Sequence, residues 1–352
     1  MNYYNPKDYL SKLDEKDGYL ELTVDTTHEL MNLIRPENKE RLLHIFQEYY
    51  SSLIEINGEL KLNFNKLLFR GVANSSFTLT PTLYRNIDAG NYGGMRGNYS
   101  ELMLLRNFIK ACDLSATQIP NDSLKFRNLI FDDKLFNSAL YSDDKNWFIE
   151  DFYELTAFAQ HYGVPTRLLD WSYHPLVSLY FASIGAIKNV NESDESIYKK
   201  EGFFSLWVYS PIEHVNRDNQ DFYNSEIKII DVPKSINQHI SFQQGCFIMV
   251  VQENNHGGLD FLLNEDSSIF DKSKNSYIKL NDKLQKLKLD KNLLKINIPF
   301  KCAIEVYEYC QSYNFHSATL FRGPHGGSQH VIETMLVGKQ KGEKYFGVSK
   351  GA

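Results

Sequence analysis

Cysteine is scarce in this chain. Its four cysteines, Cys112, Cys246, Cys302 and Cys310, are spread too widely to form a CxxC pair or to take zinc-finger spacing from histidine. That excludes a disulfide scaffold or zinc module and leaves reduced, structural thiols. Positive charge is not in excess either: Lys and Arg number 38 against 44 Asp and Glu, a net charge of -6. No global field therefore draws the protein to nucleic acid or to an anionic membrane, although a local basic groove is compatible with this balance. No uninterrupted apolar run of about eighteen residues occurs, and no basic stretch followed by an apolar run opens the chain; the expectation is a cytoplasmic protein with no membrane partner. The G-x-S-x-G elbow, the P-loop and the dinucleotide fingerprint are also missing, which removes the usual support for hydrolase, NTPase and Rossmann readings.

What is present is a globular composition, 42% hydrophobic and 14% aromatic over 352 residues, enough to bury a large core and too rich in rings for long disordered tracts. Apolar residues Leu42, Leu43, Ile45 and Phe46 recur at helical spacing within 28–56, predicting an amphipathic helix. A short strand ends at Arg70-Gly71 and leads into a Ser/Thr/Pro turn region. The Gly/Asn stretch 89–100 predicts a mobile loop, followed by a helix capped by Ser100. Helical periodicity over 147–162 stops at Gly163-Val164-Pro165, and Pro175 opens a second, buried helix. Residues 188–202 predict an exposed loop, while 203–210, 225–233 and 243–251 predict strands rich in aromatic and β-branched residues. The lysine-rich span 272–299 predicts a solvated, partly helical surface, bridging to a final helix near 302–313. Helices first and strands later give an α+β fold: a helical N-terminal extension over 1–59, then one domain over 60–345 with a mixed or antiparallel β core and a lysine-rich insertion near 270–297.

Polar chemistry concentrates between Ala157 and Ala182, where Gln160, His161, Thr166, Arg167, Asp170, Ser172 and His174 lie between apolar runs. An imidazole beside a carboxylate, as His161 and Asp170 would be, is suited to proton transfer. Asp170 could equally cap a helix or pair with Arg167 as a structural salt bridge. Arg70 at a strand end would hold a planar cation at the mouth of a cleft, fit for phosphate or carboxylate, with Gly71 admitting close approach; an internal carboxylate partner is the alternative. Gln243-Gln244-Gly245 heads a strand, where amides either read a ribose or base or satisfy neighbouring backbone. His325, His330 and Glu333 are metal-compatible residue types in no motif of known mechanism, and no metal is expected.

Phe69 to Gly71, the segment Ala159 to Ala182, and Gln243 to Phe247 together resemble the FRG-domain family, named for Phe-Arg-Gly, with 318–327 resembling its weaker C-terminal block. A more distant resemblance is to ADP-ribosyltransferases of the Arg-Ser-Glu type. It implies that Phe69-Arg70-Gly71 is the first motif, Asp170-Trp171-Ser172 with Val177 to Ala182 the second, and Gln243-Gln244-Gly245 the third. Gln stands where that family carries its catalytic Glu, so either a different residue acts, such as His161 or Asp170, or the fold binds NAD without turning it over. The resemblance implies NAD as co-substrate, with Arg70, His161, Asp170, Gln243 and Gln244 as catalytic candidates. Phe69, Gly71, Tyr162, Thr166, Arg167, Trp171 and Ser172 are the candidates for substrate binding. It further implies a bacterial effector or toxin acting in antiviral defence, with a nucleic-acid or protein acceptor and an antitoxin or defence-system partner. The alternative is a non-catalytic module that binds a nucleotide or phage component and signals to a partner.

Overall fold

The computed structural model describes residues 7–35, 41–46, 67–88, 97–141, 148–193, 195–211, 226–234, 238–252, 277–321 and 323–342. The 89–96 part of the expected Gly/Asn loop, residues 47–59 of the N-terminal helical pattern and residues 270–276 of the lysine-rich span lie outside them.

Among the described residues eight strands form one sheet: β1 Leu13–Lys16, β2 Tyr19–Thr23, β3 Leu68–Val72, β4 Leu169–Ser172, β5 Phe203–Tyr209, β6 Ile227–Ile230, β7 Gly245–Val250 and β8 Leu293–Pro299, in the order β1-β2-β8-β5-β3-β4-β7-β6. Every described pairing is antiparallel except β2 with β8. With helices packed against it, this is an α+β fold. The β3–β4 junction decides where the site lies. β3 pairs with β5 through five residues, yet meets β4 only at Phe69↔Ser172. The sheet is thus two ladders, five strands and three, joined by a single bridge.

Side-chain alternation builds the layers. On one face of β3, Phe69 packs with α6 (Pro175–Glu192) and α7 (Ala303–Ser312) in a core that extends to α1 (Thr27–Ile34) and α8 (Pro324–Lys341). On the same face of the three-stranded half, Phe247 and Met249 of β7 pack beneath α2 (Gly97–Leu114), α3 (Leu124–Ile130), α4 (Asp133–Tyr141) and α5 (Tyr153–His161). Leu68, Val72, Trp171, Trp207, Cys246 and Ile248 fill the opposite face, under Leu280 and Leu284. One face therefore carries two helical groups with a seam between them, directly above the bridge.

Several expectations are corrected. The N-terminal segment is not only helical: β1 and β2 form a hairpin joined to the sheet through β8. Residues 293–299 are not part of a solvated lysine-rich surface but an interior strand, with Lys295 7% exposed against Glu21 and beneath the rings of Tyr19 and Trp207. Ser100 does not cap its helix. It lies buried inside α2, which begins at Gly97. Residues 188–192 complete α6 rather than opening a loop, and α8 follows the helix expected to be last. No described helix is long and apolar enough to cross a membrane.

Candidate functional site

The seam opens into a pocket of about 360 Å³ whose walls come from β3, β4, β7 and the facing ends of α5 and α6. Its polar side chains include Arg70, Gln160, His161, Asp170, Ser172 and Gln243. Phe69, Phe181, Ile240, Phe247 and Phe321 supply an apolar wall. A cavity with an apolar body and a few convergent polar groups suits a small organic ligand.

Alternation puts Arg70 on the face of Leu68 and Val72, away from the seam. The lapse in pairing beyond Phe69↔Ser172 lets it reach the pocket nonetheless. Its Nη1 donates to the main-chain carbonyl of Asp170 at 2.6 Å and lies 3.7 Å from Asp170 Oδ2. Burial holds the guanidinium below its ordinary pKa, an effect that Asp170 opposes and Arg85 reinforces. Arg70 Nε is buried and makes no hydrogen bond to a described residue.

Asp170 and Ser172, two apart on β4, share the seam face. The Asp170 carboxylate, 67% exposed, accepts from Gln160 Nε2 at 2.5 Å. Gln160 in turn accepts from the Thr166 hydroxyl. Ser172 is committed to structure: its hydroxyl donates to Gln243 O at 2.7 Å and accepts from His174 N at 3.0 Å. The turn before β7 is fixed further by Tyr173 N donating to Gln244 O at 3.0 Å, with Gln244 at φ +46. His174, proposed only as part of the polar run, is the N-cap of α6, its Nδ1 accepting from Leu176 N at 3.2 Å. Burial keeps this imidazole below its usual pKa, as an acceptor cap requires.

Of the residues singled out from sequence, the fold brings Phe69, Arg70, Gly71, His161, Asp170, Trp171, Ser172 and Gln243 to the pocket wall. Four expected with them stand outside it. Arg167 is 1% exposed; its Nε and main-chain N donate to the Glu101 carboxylate, and Nη2 to Asn98 Oδ1 at 2.7 Å. Its guanidinium also lies over the Phe148 ring, so it braces α2 against β4 and does not line the pocket. Thr166 is buried, and reaches the site only through Gln160. Tyr162 is 62% exposed and packs edge-on to Phe158 and His161 at the end of α5. Gln244 is turned away by its left-handed backbone. Gln160, singled out only as part of the polar run, also lines the pocket, whereas the aromatic wall of Phe181 and Phe321 was not foreseen. Gln160 precedes His161 at the end of α5, and that was the available signal.

Glu333, read as a metal-compatible residue type, is fully buried and bonded by Tyr180, Lys188 and Gln329, locking α8 onto α6. Among the described residues no group of three or more His, Cys, Asp or Glu is arranged to hold a metal ion.

Residues 65–191 match the family described as FRG domain, a span that runs from β3 through α6 and includes Arg70, Gln160, His161, Asp170 and Ser172. The chain carries an FRG domain. No curated protein and no solved structure matches the chain. The FRG domain does not hold all of the pocket: Gln243 and Phe247 on or before β7, and Phe321 ahead of α8, lie beyond its matched span.

Proposed function

We propose that the FRG-domain pocket binds NAD and breaks the bond between nicotinamide and ribose, passing ADP-ribose to a macromolecular acceptor. The observation that carries this reading is the meeting of the Arg70 guanidinium and the Asp170 carboxylate at the β3–β4 break in the sheet, inside a pocket with an apolar wall. The three blocks of the distant Arg-Ser-Glu resemblance lie on or beside adjacent strands β3, β4 and β7, which supports it. Arg70 would grip the diphosphate as a planar permanent cation. As the C1′–N1 bond breaks and its electron pair leaves with nicotinamide, the Asp170 carboxylate would stabilise the positive charge developing on the ribose. An acceptor hydroxyl or amine then attacks C1′, and His161 at the pocket wall takes its proton. Gln243 is within the pocket wall for a ribose hydroxyl; Gln fills the place of the missing Glu only as a neutral orienting group. By the FRG resemblance, the biological setting is a bacterial effector or toxin in antiviral defence.

The test is nicotinamide release by wild type, Arg70→Ala and Asp170→Asn, with and without tRNA, DNA and cell lysate. Loss of a preorganised charge at the reacting centre is expected to lower turnover about 100- to 1000-fold in Asp170→Asn. Equal rates in all three proteins would end the proposal. A second reading, a nucleotide-sensing module without turnover, is favoured by one feature: Asp170, the sole carboxylate among the described lining residues, is already partnered by Arg70. That reading predicts a thermal shift with NAD or another nucleotide, abolished in Arg70→Ala, and no nicotinamide release.

A further inference from the structure

We propose that Thr166 and Gln160 form a directional hydrogen-bond relay that sets the orientation of the Asp170 carboxylate in the pocket. Its consequence for turnover, though not the relay itself, rests on the NAD reading above.

The direction follows from what each group can donate. Leu168 N, a donor only, gives its proton to Thr166 Oγ1 at 3.2 Å. The single hydroxyl proton of Thr166 is then sent outward, to Gln160 Oε1. An amide oxygen only accepts, so the Gln160 side chain is held with its NH2 toward Asp170, where Nε2 donates to Oδ1 at 2.5 Å. The flipped amide would set Oε1 against a carboxylate oxygen and NH2 against the hydroxyl, losing both bonds in their present sense. Asp170 Oδ1 is thereby taken by Gln160, while Oδ2 is the oxygen 3.7 Å from Arg70.

The source of the relay is rigid. Thr166 is 1% exposed, and its carbonyl accepts from Leu83 N at 3.1 Å, pinning the turn to the helix Thr82–Asp88. Its end is not: Asp170 is 67% exposed and would otherwise sample several rotamers in water. The relay thus carries order from a buried hydroxyl to an exposed carboxylate. Thr166 is in this sense a positioning residue, which explains why a buried residue outside the pocket belongs to the same sequence block as those within it.

The experiment compares wild type, Thr166→Val and Thr166→Ser. Solvent exchange of the Gln160 side-chain NH2 is followed by NMR on the 15N-labelled full chain, and nicotinamide release is assayed in parallel. Wild type and Thr166→Ser are expected to share a protected, shifted amide. Thr166→Val, which keeps the shape and removes the hydroxyl, is expected to exchange about tenfold faster. Turnover should fall about tenfold in Thr166→Val at unchanged KM and recover in Thr166→Ser. Thr166→Ala removes the same hydroxyl without a β-branch and stands in if Thr166→Val does not fold. Full protection in either folded variant overturns the relay, as does failure of Thr166→Ser to match wild type. If wild type releases no nicotinamide, the NAD reading falls and the amide comparison still decides the relay.

Discussion

Removing the Glu101 carboxylate is expected to destabilise the FRG domain more than any single change in its pocket. Glu101 is 0% exposed and Arg167 is 1% exposed, so the pair is fully out of water. Glu101→Ala would strip the acceptor from Arg167 Nε and from its main-chain N, while Asn98 Oδ1 at 2.7 Å and the face of Phe148 are among the guanidinium's other partners. Breaking a buried ion pair by removing one partner costs about 3–5 kcal/mol. At roughly 2–4 °C per kcal/mol for a large domain, the melting point should fall by about 6–20 °C. Equilibrium urea unfolding measures the loss directly, provided wild type unfolds reversibly in a single transition. The double variant Glu101→Leu with Arg167→Met removes both charges and keeps apolar volume. It should recover most of the stability, because a buried pair is often worth little more than its apolar replacement. This separates a brace from a substrate ligand. A loss under about 1 kcal/mol in Glu101→Ala, or a double variant no better than the single one, would refute the bracing role.

Gly71 is expected to tolerate no side chain: a Cβ there would lie 1.9 Å from Ser178 O of α6 and 2.9 Å from Ala182 Cβ. Gly71→Ala should cost about 1–3 kcal/mol or more in urea unfolding, whereas Gly245→Ala, whose Cβ would meet Ile240 Cγ2 at 3.3 Å, should cost less; the reverse order would count against the packing argument. His174 makes stability acid-sensitive, because burial lowers its pKa below the 6.5 of a free imidazole. The unfolded chain then takes up the proton first, so this contribution is complete above pH 6.5 and is lost as pH falls through the folded value. His174→Asn keeps a capping acceptor without the titration and should flatten the acid limb of the urea midpoint below pH 6.5; identical slopes for the two proteins would refute it.

How far the fold was legible depends on where tertiary contacts override local pattern. β5 and β7 carry continuous aromatic and β-branched runs and were plain. β4 was not: four residues bearing Asp170 and lying between two prolines have little strand propensity, and the ladder to β7 imposes the conformation. β8 was hidden by its lysine and the lysine-rich segment before it, since Lys295 becomes a core residue only once Glu21, Tyr19 and Trp207 surround it. The β1–β2 hairpin had a local signal that the charged flanks masked. Asp17-Gly18 forms a two-residue turn with Lys16 opposite Tyr19, and Gly18 takes a positive φ of +85 that glycine adopts at no steric cost. In the site, Arg70 and Asp170 were legible as unusual residues at element ends. The roles of Arg167 and Thr166 were not, because burial is a property of the assembled layers: Glu101, the partner that takes Arg167 out of the pocket, lies 66 residues away in sequence.

The three letters of the Phe-Arg-Gly motif each answer to a different demand of the same break in the sheet. Phe69 makes the single pair with β4, its ring packs in the core under α6, and its carbonyl accepts from Ser178 Oγ at 2.9 Å. That bond and the missing Cβ of Gly71 draw α6 onto β3 two residues apart on one face. With α6 seated so close, the N-terminal end of the helix forms one wall of the seam through Val177, Ser178 and Phe181. Between them Arg70, pointing to the other face, fills the gap that opens where β3 and β4 cease to pair, and donates across it to the Asp170 carbonyl. Substituting Lys for Arg70 would keep the charge but lose the planar fork that bonds Asp170 O while lying near its carboxylate. The pocket is thus a consequence of the break, and the motif holds the break open while keeping the two ladders in one sheet.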